Sequence, residues 1–361
     1  MLFIAIESRF TSGLWLLCWL VASVRCSVDN CSLQHQSKEG RYDTPQPTHD
    51  MYAMMNPSLS SLRNLLQRGL PLRRPRYPPP SATCASAPLN GTRYDLNNVQ
   101  HNNYPNPNRR SDLVDRIGPA SNLPPHLIFP GAGIFFYWQA GVVTYLRQAG
   151  YDLSRCTMSG ASAGSITATL AATDVCFANA TDAALRIGRD AGVWERPMGL
   201  MGVWGSLIEQ WLEELLPENA AEQASDRITI LLTTIPTLGK QRVSQFVDRD
   251  DLIRCNIASV HLPLFLDGKV ASNYRDSLHI DGSFLSTPAD HLKGDPDEQQ
   301  CEFDAPFLAF DFHHDPMLKA RKKEFVKLAS EDGIRSMMDR GMEYAYGLER
   351  EGCFGHLPKR N

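Results

Sequence analysis

The pattern of apolar and polar positions changes character near residue 124. Beyond it, short apolar runs alternate with stretches of helical spacing, which predicts an α/β domain. Leu127-Ile128-Phe129 reads as a buried strand after Pro124-Pro125, Pro130-Gly131-Ala132-Gly133 interrupts it, and residues 134–148 carry apolar side chains at helical spacing. Cys156-Thr157-Met158-Ser159 leads into Gly160-Ala161-Ser162-Ala163-Gly164, and Ser165 onward reads as a helix to Ala172. Two strand-turn-helix units in succession predict neighbouring parallel strands, with both turns at the carboxyl edge of the sheet, where open α/β sheets bind ligands.

Further along, residues 203–216 place Leu207, Ile208, Trp211, Leu212, Leu215 and Leu216 on one side of an amphipathic helix. Residues 228–235 are rich in β-branched side chains and end at Pro236, so they predict a buried strand. Ser277-Leu278-His279-Ile280 predicts a short strand that delivers Asp281 at its end, with Gly282-Ser283 as the turn. A further strand is expected over residues 307–312, and two helices then close the chain. Lys319, Arg321, Lys322, Lys323 and Lys327 charge the first of these, with Phe325, Val326 and Leu328 turned inward; its basic face suits solvent or a membrane surface. In Ile134-Phe135-Phe136-Tyr137-Trp138 the pattern fits either core packing or an apolar wall for a long-chain substrate.

The lead before residue 124 is of another kind. Residues 14–24 form an apolar run, short for a membrane span but suited to a signal peptide or anchor, so residues 1–26 are read as a targeting segment and the secretory pathway or a membrane as the destination. Residues 27–123 are rich in Pro, Asn, Ser and Arg and predict a flexible region, with a short helix at most over residues 59–70. The folded part is then one domain over residues 124–315 followed by C-terminal helices over residues 316–361. Sequons stand at Asn30, Asn90 and Asn179. Nine cysteines include no C-x-x-C pair, and His313-His314-Asp315 is an isolated polar cluster, so neither a metal nor a cofactor is expected. A formal net charge of −4 gives no reason to expect nucleic acid as a partner.

Candidate chemistry centres on Gly160-Ala161-Ser162-Ala163-Gly164. A serine between small residues on a strand-to-helix turn has the layout of a nucleophile elbow, which lifts the hydroxyl above the sheet edge beside backbone amides. By chance such a pentapeptide arises in roughly one chain in ten of this length, so its context decides. That context is Gly131-Ala132-Gly133, one helix upstream, whose amides sit at a helix start and suit negative charge. Ser162 needs a base; His261, His279, His291, His313 and His314 are candidates by residue type, whereas Asp281 is singled out by its position at a strand end, and burial would raise its basicity.

A glycine-rich turn, a G-x-S-x-G elbow one helix later, and an Asp-Gly pair far downstream resemble the patatin-like phospholipases, and within them the adipose-triglyceride-lipase-like branch. Ser165-Ile166-Thr167-Ala168-Thr169 after the elbow and Val243-Ser244-Gln245-Phe246 before Asp250-Asp251-Leu252-Ile253 carry the closer likeness. The resemblance implies a three-layer α/β/α domain with a mostly parallel sheet that hydrolyses fatty-acyl esters at a membrane or lipid-droplet surface without a metal. It also implies Ser162 as nucleophile, Asp281 as base with Gly282 in its turn, and Gly131, Ala132 and Gly133 as the oxyanion hole, framed by Gly160, Ala161, Ala163 and Gly164 at the elbow. Two positions depart from the family pattern: Phe136 stands where a further glycine is usual, and Ser283 follows Asp281-Gly282 where glycine or alanine is common. Three other readings stay open here. An α/β-hydrolase would use His313 or His314 as triad base, although that fold places more strands before its elbow; a catalytically silent lipid-surface protein would keep the fold alone; and nucleotide binding lacks the third glycine and a Walker lysine.

Overall fold

The computed structural model describes residues 123–292 and 305–360. The leader expected over residues 1–26, the flexible region expected over residues 27–123 except its last residue, the helix expected over residues 59–70, the sequons at Asn30 and Asn90, and Cys301 lie outside the described residues.

The elements run as β1 (His126–Phe129), α1 (Phe136–Gln148), β2 (Thr157–Ala161), α2 (Ala163–Ala172), α3 (Phe177–Asp190), α4 (Trp204–Leu215), α5 (Ala220–Ala224), β3 (Ile228–Ile235), β4 (Lys240–Val243), α6 (Arg249–Ser259), β5 (Ser272–Tyr274), β6 (Ser277–Ile280), α7 (Pro288–Leu292), β7 (Phe307–Ala309), α8 (Pro316–Ala320) and α9 (Glu331–Arg350). A 3₁₀ turn, Gly133–Phe135, leads into α1. The sheet order is β5-β6-β3-β2-β1-β7, with β4 also paired to β3. Strands β7, β1, β2 and β3 form its parallel half; β4, β5 and β6 join antiparallel.

Burial explains which runs became inner strands. Leu127, Ile128 and Phe129 of β1 and Ile230, Leu231 and Leu232 of β3 are all at most 1% exposed, as expected where helices cover both faces of a parallel sheet. Helix α1 lies against α9, and the two backbones meet where Gly141 faces Met338 and Gly341 faces Trp138. Trp138 closes that interface from within: its Nε1–H donates to Asp315 Oδ2 at 3.2 Å, and Arg340 of α9 donates to both oxygens of the same carboxylate at 2.8 and 3.0 Å.

Two elements differ from the sequence expectation. The basic C-terminal stretch is not one helix: α8 stops at Ala320 and a 3₁₀ turn, Lys322–Glu324, follows, so only Lys319 among its cations is on a helix. The aromatic run Ile134 to Trp138 is core rather than an open groove wall, with Phe135 and Trp138 fully buried. Among the described residues Cys156, Cys176, Cys255 and Cys353 are free thiols, and no helix is long and apolar enough to cross a membrane.

Candidate active site

Strand lengths bring the two candidate residues together. The register pairs Ala161, the last residue of β2, with Leu231, so β3 extends past β2 by the four residues Leu232 to Ile235. Antiparallel β6 returns along that extension, with Thr233 opposite Ile280, and so delivers Asp281 back to the level of Ser162. Ser162 Oγ–H donates to Asp281 Oδ2 at 2.6 Å. Both are buried, Ser162 at 8% and Asp281 at 3% exposed.

Ser162 sits at φ 54°, ψ −131°, between β2 and α2. A non-glycine residue there costs roughly 1–3 kcal/mol, strain that the surrounding close contacts hold in place. A Cβ on Gly164 would meet Phe129 O at 1.8 Å, and one on Gly160 would meet Gly164 O at 2.2 Å, so the elbow closes only with hydrogen at those positions. Ala161 and Ala163 are likewise buried, at 0% and 7% exposed. The Ser162 amide itself is occupied, donating to Ser259 Oγ at 3.0 Å.

The turn after β1, read from the sequence as the oxyanion hole, lies beside Ser162. The amides of Gly131, Ala132 and Gly133 donate to no protein acceptor among the described residues. Gly131 lies against the site: a Cβ there would be 3.4 Å from Ser162 Cβ and only 2.5 Å from Ser283 Cβ. Gly133 adopts a positive φ of 54°, which turns the chain into the 3₁₀ start of α1. Phe136 leaves this turn clear. Its ring packs into the core, edge-on to Trp211 at 5.5 Å and near Phe177 at 6.2 Å.

Asp281 is held from three sides. Ser283 N–H and Oγ–H donate to its Oδ1 at 2.8 and 2.6 Å, leaving Oδ2 for Ser162. Its own N–H donates to His261 O at 2.9 Å, and Gly282 N–H donates to Ser259 O at 2.9 Å. Gly282 has no room for a side chain, since a Cβ would meet Leu231 O at 1.8 Å. Lys240 closes the third side: its ammonium donates to Thr233 Oγ1 at 2.8 Å, to Gly282 O at 3.0 Å and to Phe284 O. Burial raises the Asp281 carboxyl above its ordinary pKa, while the hydrogen bonds from Ser162 and Ser283 and the Lys240 charge work against that rise. Burial in turn pushes Lys240 down to about 8.

Sequence reasoning missed Lys240, Ser259 and the active part played by Ser283. Lys240 lies in a polar stretch, Lys-Gln-Arg-Val, that shows no strand alternation; Ser259 is one small residue at a helix end. Ser283 was visible only as a departure from the family pattern.

The histidines are engaged elsewhere. His279 Nε2 is hydrogen bonded to Gln241 Oε1 at 2.7 Å, His291 Nδ1 to Ser159 Oγ at 3.1 Å, and His313 Nδ1 to Asp311 Oδ1 at 2.7 Å. His261 contributes its backbone carbonyl to the Asp281 turn, while its ring Nε2 is 3.3 Å from Lys269 O. His314 shares the 3₁₀ turn of His313, after the edge strand β7. Among the described residues no group of three or more His, Cys, Asp or Glu side chains is placed to hold a metal ion.

The sequence of this domain is similar to known proteins. Residues 127–293 match the patatin-like phospholipase family. Patatin-like phospholipase domain-containing protein 2 of Homo sapiens is 28% identical over 162 residues, covering 44% of this chain and 32% of that protein. Omega-hydroxyceramide transacylase of Homo sapiens is 28% identical over 169 residues, covering 44% of this chain and 31% of that protein. 1-acylglycerol-3-phosphate O-acyltransferase Pnpla3 of Mus musculus is 25% identical over 161 residues, covering 43% and 38%. The chain thus spans about a third of the length of the curated relatives it matches.

Proposed function

We infer that this chain, which carries a patatin-like phospholipase domain over residues 127–293, cleaves fatty-acyl ester bonds through a Ser162–Asp281 dyad. The observation that carries the reading is the 2.6 Å hydrogen bond from Ser162 Oγ to Asp281 Oδ2, between two buried residues brought together by β2 and β6.

In the reaction, Ser162 Oγ attacks the acyl carbonyl while its proton passes to Asp281 Oδ2. The carbonyl oxygen becomes an oxyanion, and the amides of Gly131, Ala132 and Gly133 receive it. As the tetrahedral species collapses, the ester C–O bond breaks and Asp281 returns the proton to the departing alcohol, leaving an acyl ester on Ser162. Water then attacks that ester with Asp281 again taking the proton, and the fatty acid leaves as Ser162 recovers its hydrogen. An alcohol in place of water would give acyl transfer by the same steps; two of the relatives are a transacylase and an acyltransferase by name. Triacylglycerol and glycerophospholipid both present the required carbonyl.

The test compares purified parent protein with Ser162→Ala and Asp281→Asn forms on a panel of acyl lipids, together with labelling by a fluorophosphonate. Both substitutions are expected to reduce fatty-acid release by about 10³-fold or more, and Ser162→Ala to abolish labelling. Release and labelling that survive Ser162→Ala would remove the serine from the mechanism; activity retained in Asp281→Asn alone would move the base elsewhere.

A further inference from the structure

Residues 316–329 are fixed onto the oxyanion turn. The Ile134 amide, immediately after Gly131-Ala132-Gly133, donates to Phe325 O, and a Cβ on Gly133 would meet that same oxygen at 2.1 Å and the Phe325 ring at 3.0 Å. Asp315 anchors the start of the stretch, accepting from Met317 N–H at 3.0 Å while bound to Trp138 and Arg340. Trp194 Nε1–H holds its end by donating to Ala329 O at 3.0 Å, and Gly199 lies against Leu328. The stretch is therefore a lip beside the candidate site.

Its outward side is strongly basic. Lys319, Arg321, Lys322, Lys323 and Lys327 are all exposed, against one carboxylate, Glu324, which pairs with Arg321 at 2.8 Å. The chain as a whole has a formal net charge of −4. Two exposed apolar side chains stand among the cations, Met317 at 61% and Phe325 at 40%, and the adjoining turn adds Met198 at 61% along with one charge of each sign, Glu195 and Arg196. Cations set around isolated apolar tips form a surface that attracts anionic headgroups and inserts shallowly among acyl chains. An acidic protein would satisfy the cations but would leave Met317, Phe325 and Met198 without a match.

We propose that this lip, residues 316–328 with Met198 beside it, docks the candidate site on a lipid surface carrying anionic phospholipid. It rests on the acyl-hydrolase reading for its purpose but not for its test. Docked there, the lip sets the oxyanion turn against the lipid phase from which an acyl ester would enter.

The experiment uses the full chain in a Ser162→Ala background, so that no lipid is consumed, and measures co-sedimentation with phosphatidylcholine vesicles containing or lacking phosphatidylserine. Binding is expected to be at least about tenfold tighter with phosphatidylserine, to weaken as salt rises, and to lose that preference when Lys319, Lys322, Lys323 and Lys327 are changed to Glu together. With Ser162 restored, the same four changes are expected to leave turnover of a soluble short-chain ester unchanged, which separates docking from chemistry. A parent inactive on that ester would count against the hydrolase reading and leave the binding result intact. Equal phosphatidylserine binding by parent and quadruple variant overturns the proposal, as does parent binding to neither vesicle, the outcome expected of an acidic protein partner. Should charge reversal depress soluble-ester turnover, the corresponding Lys→Gln set decides, and binding unchanged in that set sinks the proposal equally.

Discussion

Lys240 donates to Thr233 Oγ1, Gly282 O and Phe284 O, and so pins the turn that presents Asp281. In the proposed dyad Asp281 would act as a base only as a carboxylate, so activity is expected to climb as pH rises through its pKa, which burial sets above the ordinary value and the Lys240 charge restrains. Removing that charge lets the carboxyl rise further. Lys240→Met is therefore expected to move the acid limb of kcat/KM to higher pH and to lower its plateau about tenfold, or ~1.4 kcal/mol of transition-state stabilisation. The ammonium itself is lost as pH climbs through about 8, so the parent should show an alkaline limb there that the variant lacks. A pH profile for soluble-ester hydrolysis checks both limbs; two superimposable profiles would reduce Lys240 to a strand residue. Ser162 and Asp281 were legible in the sequence because their neighbours carry a pattern, small residues at an elbow and an Asp-Gly after an apolar run. Lys240 and Ser259 carry none; they reach Asp281 and Ser162 only through the β3–β4 pairing and the end of α6.

At the scale of elements, the strands with a continuous apolar run, β1 and β3, were readable because burial on both faces dictates composition. Strand β4, Lys-Gln-Arg-Val, was not: only pairing with β3 makes it a strand, and three of its four residues are half-buried. The stretch after α8 misled in the opposite sense. Lys, Arg, Ala and Glu are strong helix formers, yet a short helix has little stability of its own, and anchoring to Ile134 N–H settles the backbone instead. What holds this stretch to α1 and α9 is Asp315, fully buried and paired with Arg340. Arg340→Met would leave that carboxylate buried with only Trp138 and the Met317 amide as donors. Loss of one partner of such a pair costs ~3–5 kcal/mol, and the remaining donors place the expectation near ~3 kcal/mol. Urea unfolding measures it; a loss under about 0.5 kcal/mol would mean the pair is no more than a surface contact.

Across the whole molecule, one buried polar chain ties the sheet to α7 directly beneath the elbow. His126 of β1 is hydrogen bonded through Nδ1 to Thr157 Oγ1 at 2.8 Å and through Nε2 to Ser159 Oγ at 2.9 Å, and Ser159 Oγ is 3.1 Å from Nδ1 of His291. Ser159 lies on β2, three residues before Ser162. Burial pushes both histidines down to about 4, and the charge of His126 further disfavours that of His291. The unfolded chain takes up protons at these two positions near pH 6.5, whereas the folded chain does so only near pH 4. Between those values the unfolded state binds more protons, so stability falls as pH falls, by up to about 1.4 kcal/mol per pH unit for each histidine; above pH 6.5 this contribution is complete. Thermal melting from pH 7 down to pH 4 is expected to show that slope, and His291→Gln, which keeps a hydrogen-bonding amide but cannot take a proton, is expected to make it shallower. Because Ser159 lies on the strand that leads into Ser162, soluble-ester activity should fall irreversibly only where melting begins, while loss through protonation of Asp281 recovers when the pH is restored. An identical slope in parent and His291→Gln would show that acid sensitivity arises away from the strand that carries the elbow.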